Sequence, residues 1–450
     1  MKVKRRLSLL LLLLSGAFSF FFGFTVARTA SGAPDFRPAY YGARCMLQRH
    51  NPYKASELEG VYRADGLKFS SDPVQRQVEA LNIYLPAAYI LLAPFALLPY
   101  GTALVIWLIL LAGVFLLAAF LVWDIGKDYA PGVTLFLICI VLANSEVIFA
   151  GGNPAGIAVS LCVVAVWCFL RKRFVQAGIL CMAVSLAIKP HDAGLIWLFF
   201  LLAGGIYRKR ALQTLAATLL LALPAMLWIS HIAPHWIADW QSNMAIISAR
   251  GGVIDPGPAS RPGFRDLGMI IDLQTVISVF RDDPRIYNSV SYLVCGALLL
   301  AWSVTTLRSR LSQKGRWLAL AAVVPLAMLV TYHRPYDAKL LLLTIPACAL
   351  LWAEGGPIRW IALPVNTAAL LLMGDIPLTI LMILTRNLHL SASSLSGQIV
   401  TVVLARPVPF ALLCLGIFYL WVYLRLPSRN NAGFLQPGCQ TASYSRSTER

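Results

Sequence analysis

The chain begins MKVKRRLSLLLLLLSGAFSFFFGFTVA over residues 1–27, a start rich in Lys and Arg that is followed by an apolar run from Leu7 to Ala27. Because about 20 apolar residues let a helix cross a bilayer, this run predicts a membrane helix. It has the charge order of a signal peptide, but its apolar segment is longer than that of a typical cleaved one. We therefore predict a retained signal anchor with a cytoplasmic N-terminus; a cleaved signal peptide is the alternative.

Apolar runs of similar length recur along all 450 residues. Hydrophobic residues make up 58% of the chain and charged residues only 13%, and the mean hydropathy is +0.71. This composition excludes an ordinary water-soluble globule. The net charge of +18 is carried by short basic clusters between apolar runs, which the positive-inside rule explains better than nucleic-acid binding does. We predict an all-α polytopic protein of the plasma (inner) membrane that contacts membrane lipids and binds no nucleic acid.

Hydropathy predicts about twelve transmembrane helices. After the first, they fall near 101–123, 132–150, 154–170, 174–188, 192–206, 211–229, 288–307, 317–332, 338–352, 358–376 and 400–423. The basic clusters near 171–173, 208–210, 308–316 and 425–429 then lie in the cytoplasm together with both termini. This count requires that the segment 84–99 does not cross the membrane. Its three prolines each remove a backbone donor, so we interpret it as a re-entrant or surface-lying segment.

The predicted domain organisation is a single transmembrane domain over residues 1–425. Two long loops, 28–100 and 230–287, lie on the extracytoplasmic side and collect most of the unusual polar residues. The cytoplasmic turns are short and basic, which argues against a cytosolic nucleotide-sugar site. The polar, Ser-rich segment 426–450 is predicted to be a disordered cytoplasmic tail.

Asp35 opens the polar stretch DFRPAYYGAR, residues 35–44, just beyond the first predicted helix. A carboxylate near the membrane face can accept a proton from a sugar hydroxyl that lies within hydrogen-bond reach. Our hypothesis is that Asp35 is the catalytic base of a membrane glycosyltransferase. The alternative is an ordinary helix N-cap, a position that Asp often takes, and composition alone favours the cap.

Two further charged clusters lie at predicted outer helix ends. In the first, Lys189 could bind a lipid-linked phosphate, or it could form a structural salt bridge with Asp192. In the second, Arg334 suits a bidentate phosphate contact, and His333 could donate a hydrogen bond or a proton to a leaving phosphate. A loop of mutually paired charges with interfacial tyrosines is the alternative for the second cluster.

Other polar residues on the same predicted side are candidates for substrate binding. Asn153 is also a plausible N-cap before Pro154, which is the preferred interpretation of that residue. The chain has no phosphate-binding Gly-rich loop, no His/Glu zinc motif and no paired cysteine site, so we predict neither a metal nor a cofactor. The candidates for substrate binding are Arg37, Tyr40, Tyr41, Asn51, Tyr53, Asn153, His191, Asp337 and Lys339.

Several of these motifs together resemble glycosyltransferase family 87. The resemblance rests on DFRPAYY at 35–41 with HNPY at 50–53, on YLP at 84–86 with APFALLP at 93–99, and on the turn GGN at 151–153. The segment from Ala177-Gly178 to Lys189-Pro190 resembles another motif of the family. Gly152 stands where the family usually has Gln, which puts a substrate role for that turn in doubt.

The resemblance implies a GT-C-like bundle of helices with an extracytoplasmic active-site face. It further implies transfer of a sugar, usually mannose, from a polyprenyl monophosphate to a lipid or glycan acceptor by one inverting displacement. Asp35 is the position that matches the family's catalytic base, and Lys189, Arg334 and His333 would meet the charge of the leaving phosphate without a metal. A flippase or transporter for a lipid-linked sugar is the alternative function, although we find no internal repeat of the kind that such folds show.

Overall fold

A computed structural model describes residues 2–29, 32–257, 270–309, 311–387 and 394–426 of the chain. Over these ranges the chain forms 21 α-helices and one 3₁₀ helix, and no strand. Apart from Leu426, the predicted tail 426–450 lies outside the described residues. In chain order the helices are α1 (Lys2–Ala27), α2 (Phe36–Leu47), α3 (Ala55–Ala64), α4 (Pro73–Ala80), α5 (Pro86–Ala96), α6 (Tyr100–Gly126), α7 (Pro131–Ala143), α8 (Glu146–Gly151), α9 (Pro154–Arg171), α10 (Val175–Ile188), α11 (Pro190–Leu202), α12 (Gly205–Ile232), α13 (Trp236–Ser248), α14 (Leu273–Phe280), α15 (Pro284–Arg308), α16 (Gln313–Val330), the 3₁₀ helix (Asp337–Thr344), α17 (Ile345–Glu354), α18 (Arg359–Leu372), α19 (Asp375–Asn387), α20 (Leu395–Ala405) and α21 (Pro407–Leu424).

Eight helical segments in the described part of the chain are long and apolar enough to cross a membrane. They are α1 from Leu7, α6, α7 together with α8, α9, α12, α15, α16 and α21. Helices α18 and α19 form a bent pair with an angle of 72° that could provide a ninth. The protein is therefore an all-α, multi-pass membrane protein, as predicted, while the count of twelve spans stays a prediction.

Several predicted segments are more broken than hydropathy indicated. The segment near 338–352 starts as a 3₁₀ helix before α17, and the segment near 400–423 is divided at Arg406 into α20 and α21. Pro407 begins α21, because proline lacks the backbone donor that would continue α20. A helix, α19, also lies where a loop was predicted after residue 376. Helix α5 has only 11 residues, about 16 Å at 1.5 Å per residue, which is shorter than the hydrocarbon core of a bilayer.

Helices α9 and α16 form the centre of the bundle. In their apolar windows 83% and 78% of the residues are buried, against 11% in α12 and 22% in α15. The outer helices instead expose leucines, such as Leu220 and Leu223 of α12. A helix that is apolar all round can lie either in the centre of the bundle or against lipid, because both surroundings are apolar.

Basic residues gather at one end of the bundle. There Arg171 forms an ion pair with Asp128 at 2.6 Å, Arg210 donates to the carbonyl of Phe169, and Arg316 lies over the ring of Tyr207 at 5.6 Å. At the other end, the N–H of Ala33 donates to the carbonyl of Ala150, next to the start of α9. Helix α9 starts near Ala33 and ends at Arg171 among the basic residues. The predicted basic clusters and the predicted polar site therefore lie at opposite ends of the bundle.

Candidate active site

Asp35 lies where the chain enters α2, beside the end of α8. Its backbone N–H donates to the carbonyl of Gly151 at 3.1 Å, and this pairing joins the first outer segment to the helical core. Asp35 occupies the N-cap position of α2, but its side chain makes no capping hydrogen bond. The carboxylate of Asp35 therefore does not cap α2, although composition alone favoured that role.

The carboxylate of Asp35 is held against a glycine. A Cβ atom on Gly151 would come within 2.8 Å of Asp35 Oδ2, closer than real Cβ contacts. Among the described residues no group donates a hydrogen bond to this carboxylate and no cation pairs with it within 4.0 Å. An acid that is half-buried and unpaired in this way can accept a proton from a bound hydroxyl group.

Residues from two distant parts of the sequence, Tyr84 and the loop with Arg334 and Tyr336, lie near enough to Asp35 for its charge to affect their pKa. Burial lowers the pKa of Arg334, but the oxygens of Tyr332 and Tyr336 and the carboxylate of Asp35 outweigh this effect and raise it. Burial, followed by the charge of Asp35, likewise raises the pKa of Tyr84. Arg334 thus stays charged near Asp35 without a direct ion pair.

Lys189 lies at the break between α10 and α11, where Pro190 begins the second helix. Its Nζ donates to Asp337 Oδ1, lies 3.6 Å from Asp192 Oδ2, and sits over the ring of Tyr336 at 5.1 Å. The second carboxylate oxygen of Asp337 accepts the backbone N–H of Arg334 at 2.8 Å. The structure therefore joins the two clusters that the sequence kept separate, and the salt-bridge alternative for Lys189 is present.

His333 is buried beside α11. Its Nδ1 lies 2.9 Å from the carbonyl of Thr331, and its Nε2 points towards Asp192 Oδ1 at 3.3 Å. The exposed ring of His191 packs edge-on against it, with ring centroids 5.0 Å apart. One ligand atom from each of His191, Asp192 and His333 lies within 4.8 Å of the others, so these three residues could hold a metal ion.

Arg37, Tyr40 and Tyr41 make contacts inside the first outer segment rather than towards Asp35. Arg37 forms an ion pair with Glu79 at 3.6 Å. The hydroxyl of Tyr40 donates to the carbonyl of Leu98 at 2.6 Å, and both tyrosines are fully buried. Their polar groups therefore have internal partners that stabilise this segment, and the role of the three residues in substrate binding stays a prediction.

Asn51 and Tyr53 attach the first outer segment to α13. The side-chain amide of Asn51 donates to Asp239 at 2.7 Å, and the ring of Tyr53 stacks on Trp236 with centroids 5.8 Å apart. The hydroxyl of Tyr53 donates to the carbonyl of Tyr84 at 2.7 Å. These two candidates for substrate binding are buried, and their contacts hold the loop that carries Tyr84.

Asn153 and Lys339 also have internal partners. The side chain of Asn153 accepts the N–H of Ala155 at 2.8 Å, so the preferred interpretation as the N-cap of α9 is confirmed. Lys339 is buried, and its Nζ donates to the carbonyl of Asn144 at 2.6 Å and lies 3.5 Å from Asp375. It points into the bundle, because the tight 3₁₀ turn separates it from Asp337 and the site.

The sequence did not single out Gly151 or Tyr84 as site residues. Gly151 stood in a turn signal, and only the approach of α2 shows that a side chain there would meet Asp35. Tyr84 was part of the YLP motif, but nothing in the motif indicated that the charge of Asp35 would affect its pKa. Both features depend on packing between segments that are far apart in the chain.

A comparison with protein-family models finds one match, to glycosyltransferase family 87, over residues 82–331. The matched range contains Tyr84, Gly151 and Lys189, while Asp35 and Arg334 lie outside it. No curated protein and no solved structure matches the chain. Because the match covers more than half of the chain and the helices span a membrane repeatedly, the protein belongs to glycosyltransferase family 87 and is a membrane glycosyltransferase.

Proposed function

We propose that this glycosyltransferase transfers a sugar, mannose in the first instance, from a polyprenyl monophosphate to a lipid or glycan acceptor on the extracytoplasmic side. The observation that carries the proposal is the unpaired carboxylate of Asp35, which is held beside Gly151 and close to the charged side chain of Arg334. An acid and a cation that are near each other without pairing suit two substrates, with the acceptor hydroxyl at the acid and the donor phosphate at the cation.

Asp35 acts as the base in this proposal. As the acceptor hydroxyl attacks the anomeric carbon, its proton passes to the carboxylate of Asp35, and the bond between that carbon and the phosphate oxygen breaks. The electron pair of the broken bond leaves with the polyprenyl phosphate, and the configuration at the sugar inverts. General base catalysis of this kind typically contributes about 10²–10⁴ in rate.

The leaving phosphate requires a positive partner. Arg334 is the best candidate, because no carboxylate of the described chain lies within 4.0 Å of its guanidinium, whose side-chain partner is the hydroxyl of Tyr332. Lys189 is already neutralised by Asp337 and would act at longer range. His333, which is buried in the same loop, is a further candidate for a contact with the leaving phosphate. Preorganised positive charge of this kind stabilises charge that develops in the transition state.

We infer the side of the membrane from the charge distribution. Basic residues gather at the end of the bundle opposite to Asp35, and the positive-inside rule assigns that end to the cytoplasm. Both chain termini would then be cytoplasmic and the active site extracytoplasmic, in the plasma membrane.

Transfer of radiolabelled mannose from a polyprenyl phosphate tests the proposal. The full chain is purified into lipid nanodiscs and incubated with the labelled donor and a lipid acceptor extract, and the products are separated by chromatography. We expect a new labelled lipid from the wild type, and a rate reduced about 10²–10⁴-fold in Asp35→Asn.

Asp72→Asn is the matched control, because Asp72 lies in the same outer segment and caps α4 by accepting the N–H of Gln75. Asparagine is an equally good cap, so this variant should keep full activity. Full activity in Asp35→Asn would refute the role of Asp35. Transfer from a nucleotide sugar instead of the lipid-linked donor would refute the donor class.

A further inference from the structure

We propose that His191, Asp192 and His333 form a binding site for one divalent transition-metal ion, of which Zn²⁺ is the best match. The three residues lie at the start of α11 and in the loop after α16, beside the candidate active site. The proposal does not depend on the sugar donor or on the role of Asp35. It goes against the expectation of no metal, which rested on the absence of a local ligand motif in the sequence.

The spacing of the three ligand atoms suits a small metal ion. Asp192 Oδ1 lies 3.3 Å from the Nε2 of His333 and 3.7 Å from the Nε2 of His191. With metal–ligand distances of about 2.0–2.2 Å, the ligands of tetrahedral zinc stand roughly 3.3–3.5 Å apart. All three atoms already lie within 4.8 Å of one another, so small side-chain movements would complete the geometry.

The hydrogen bond between His333 Nδ1 and the backbone indicates which ring nitrogen carries the proton. The carbonyl of Thr331 can only accept, so the Nδ1 that lies 2.9 Å from it carries a proton. In neutral imidazole, Nε2 is then a bare lone pair that faces a carboxylate oxygen of Asp192. Neither atom has a hydrogen-bond partner, and both residues are 1% exposed.

Two buried acceptors that face each other are costly unless a cation lies between them. A second proton on His333 would form an ion pair with Asp192, and a metal ion would satisfy both atoms in the same way. The contact with Thr331 supports the metal in a second way. A histidine that ligates a metal almost always donates its other ring N–H to a carbonyl or carboxylate, which fixes the tautomer and the ring orientation.

Asp192 is available for a metal, whereas Asp337 is not. The two oxygens of Asp337 accept hydrogen bonds from Lys189 and from the backbone of Arg334. Both oxygens of Asp192 lack a hydrogen bond, and Lys189 approaches only to 3.6 Å. Both oxygens of Asp192 are thus free to bind a metal without breaking a hydrogen bond, and Lys189 and the two histidines lie 3.3–3.7 Å from them.

The ligand set favours a transition metal over Mg²⁺ or Ca²⁺. Two imidazoles and one carboxylate are typical of zinc and related ions, whereas the hard cations prefer oxygen ligands. The side chain of His191 is 38% exposed, so an ion can reach the site from solvent. Three protein ligands leave a fourth position for water or for an oxygen of a phosphate group.

Metal titration of the purified protein tests the site. The full chain is prepared with a tag that contains no histidine, stripped with a chelator, placed in nanodiscs and titrated with Co²⁺ and then with Zn²⁺. We expect one Co²⁺ per chain with the visible absorption of a four-coordinate ion, and loss of that absorption when Zn²⁺ displaces it. Loss of a residue that only orients a metal ligand typically lowers the metal affinity by about 10–100-fold. His191 is a ligand itself in this proposal, so His191→Ala should lower the Co²⁺ affinity by about 100-fold or more.

His191→Ala is the main variant because its exposed side chain can be removed with little effect on folding, and His333→Ala extends the test. His50→Ala is the matched control, since His50 is an exposed histidine whose side chain is 54% accessible and lies in another part of the chain. Absence of stoichiometric Co²⁺ binding in the wild type would overturn the proposal. Equal affinity in the wild type and in His191→Ala would overturn it as well.

Discussion

Replacing Gly151 by alanine should separate activity from stability in this protein. The added Cβ would come 2.8 Å from Asp35 Oδ2, about 0.6 Å short of ordinary van der Waals contact, which begins at 3.4 Å. The atom it meets is the free end of a side chain and not backbone. The carboxylate of Asp35 can therefore rotate away while the helices keep their positions.

The size of the effect follows from that displacement. A catalytic group must stay within about 0.5 Å of its productive geometry, and a shift of about 1 Å can cost on the order of 100-fold in rate. We expect the transfer rate of Gly151→Ala to fall about 10–100-fold. Because Gly151 does not have a positive φ, alanine is not strained there, and the thermal stability should not fall.

The measurement is transfer of labelled mannose in nanodiscs, together with the Tm of the same preparation. Gly113→Ala is the matched control, because Gly113 lies in the middle of α6 with no atom within 4 Å of an added Cβ. It carries the same chemical change away from the site and should keep full activity.

Two results would contradict this reasoning. Wild-type activity in Gly151→Ala would mean that the position of the Asp35 carboxylate does not matter for transfer. A Tm that falls together with the activity would mean that Gly151 is needed for helix packing and not for the site.

Two further substitutions test residues that the sequence offered as substrate contacts and that the structure packs internally. Lys339→Met should lower the folded yield and the Tm strongly, because it leaves the buried Asp375 without its cation, a loss worth about 3–5 kcal/mol. Adding Asp375→Asn should restore part of that loss; a stable single variant with a raised KM would point to a substrate contact instead. Asn51→Ala should lower the stability by about 1–3 kcal/mol through the unpaired Asp239, measured as Tm, and leave the KM for the donor unchanged. An unchanged Tm with a raised KM would assign Asn51 to the substrate.

The apolar helices and several of their ends could be predicted from the sequence. The segment near 154–170 is α9 (Pro154–Arg171), and Asn153 caps it as its position before a proline indicated. Each of these features depends on a few neighbouring residues. The transfer free energy of a segment is a sum over its own side chains, and a cap bonds to backbone groups two or three residues away.

The breaks within the apolar segments were harder to predict. Hydropathy does not distinguish a straight helix from α20 and α21, which meet at Arg406, or from the 3₁₀ turn at Asp337–Thr344. Both segments are mostly apolar, with one charged residue each at Lys339 and Arg406, and their hydropathy is the same whether or not the axis bends. The bend depends on a proline and on the neighbours that satisfy the freed backbone groups.

The sequence by itself determined that this protein is a bundle of membrane helices with a polar end that carries Asp35. Only the tertiary structure decided what the polar residues do there. Lys189 and Asp337 pair across 148 residues of sequence, Tyr40 and Tyr41 turn inward, and Asp35 is left unpaired beside Gly151. The physical reason is that the partners of a buried charge depend on which helix ends meet, and that arrangement follows from packing of the whole bundle rather than from any local pattern.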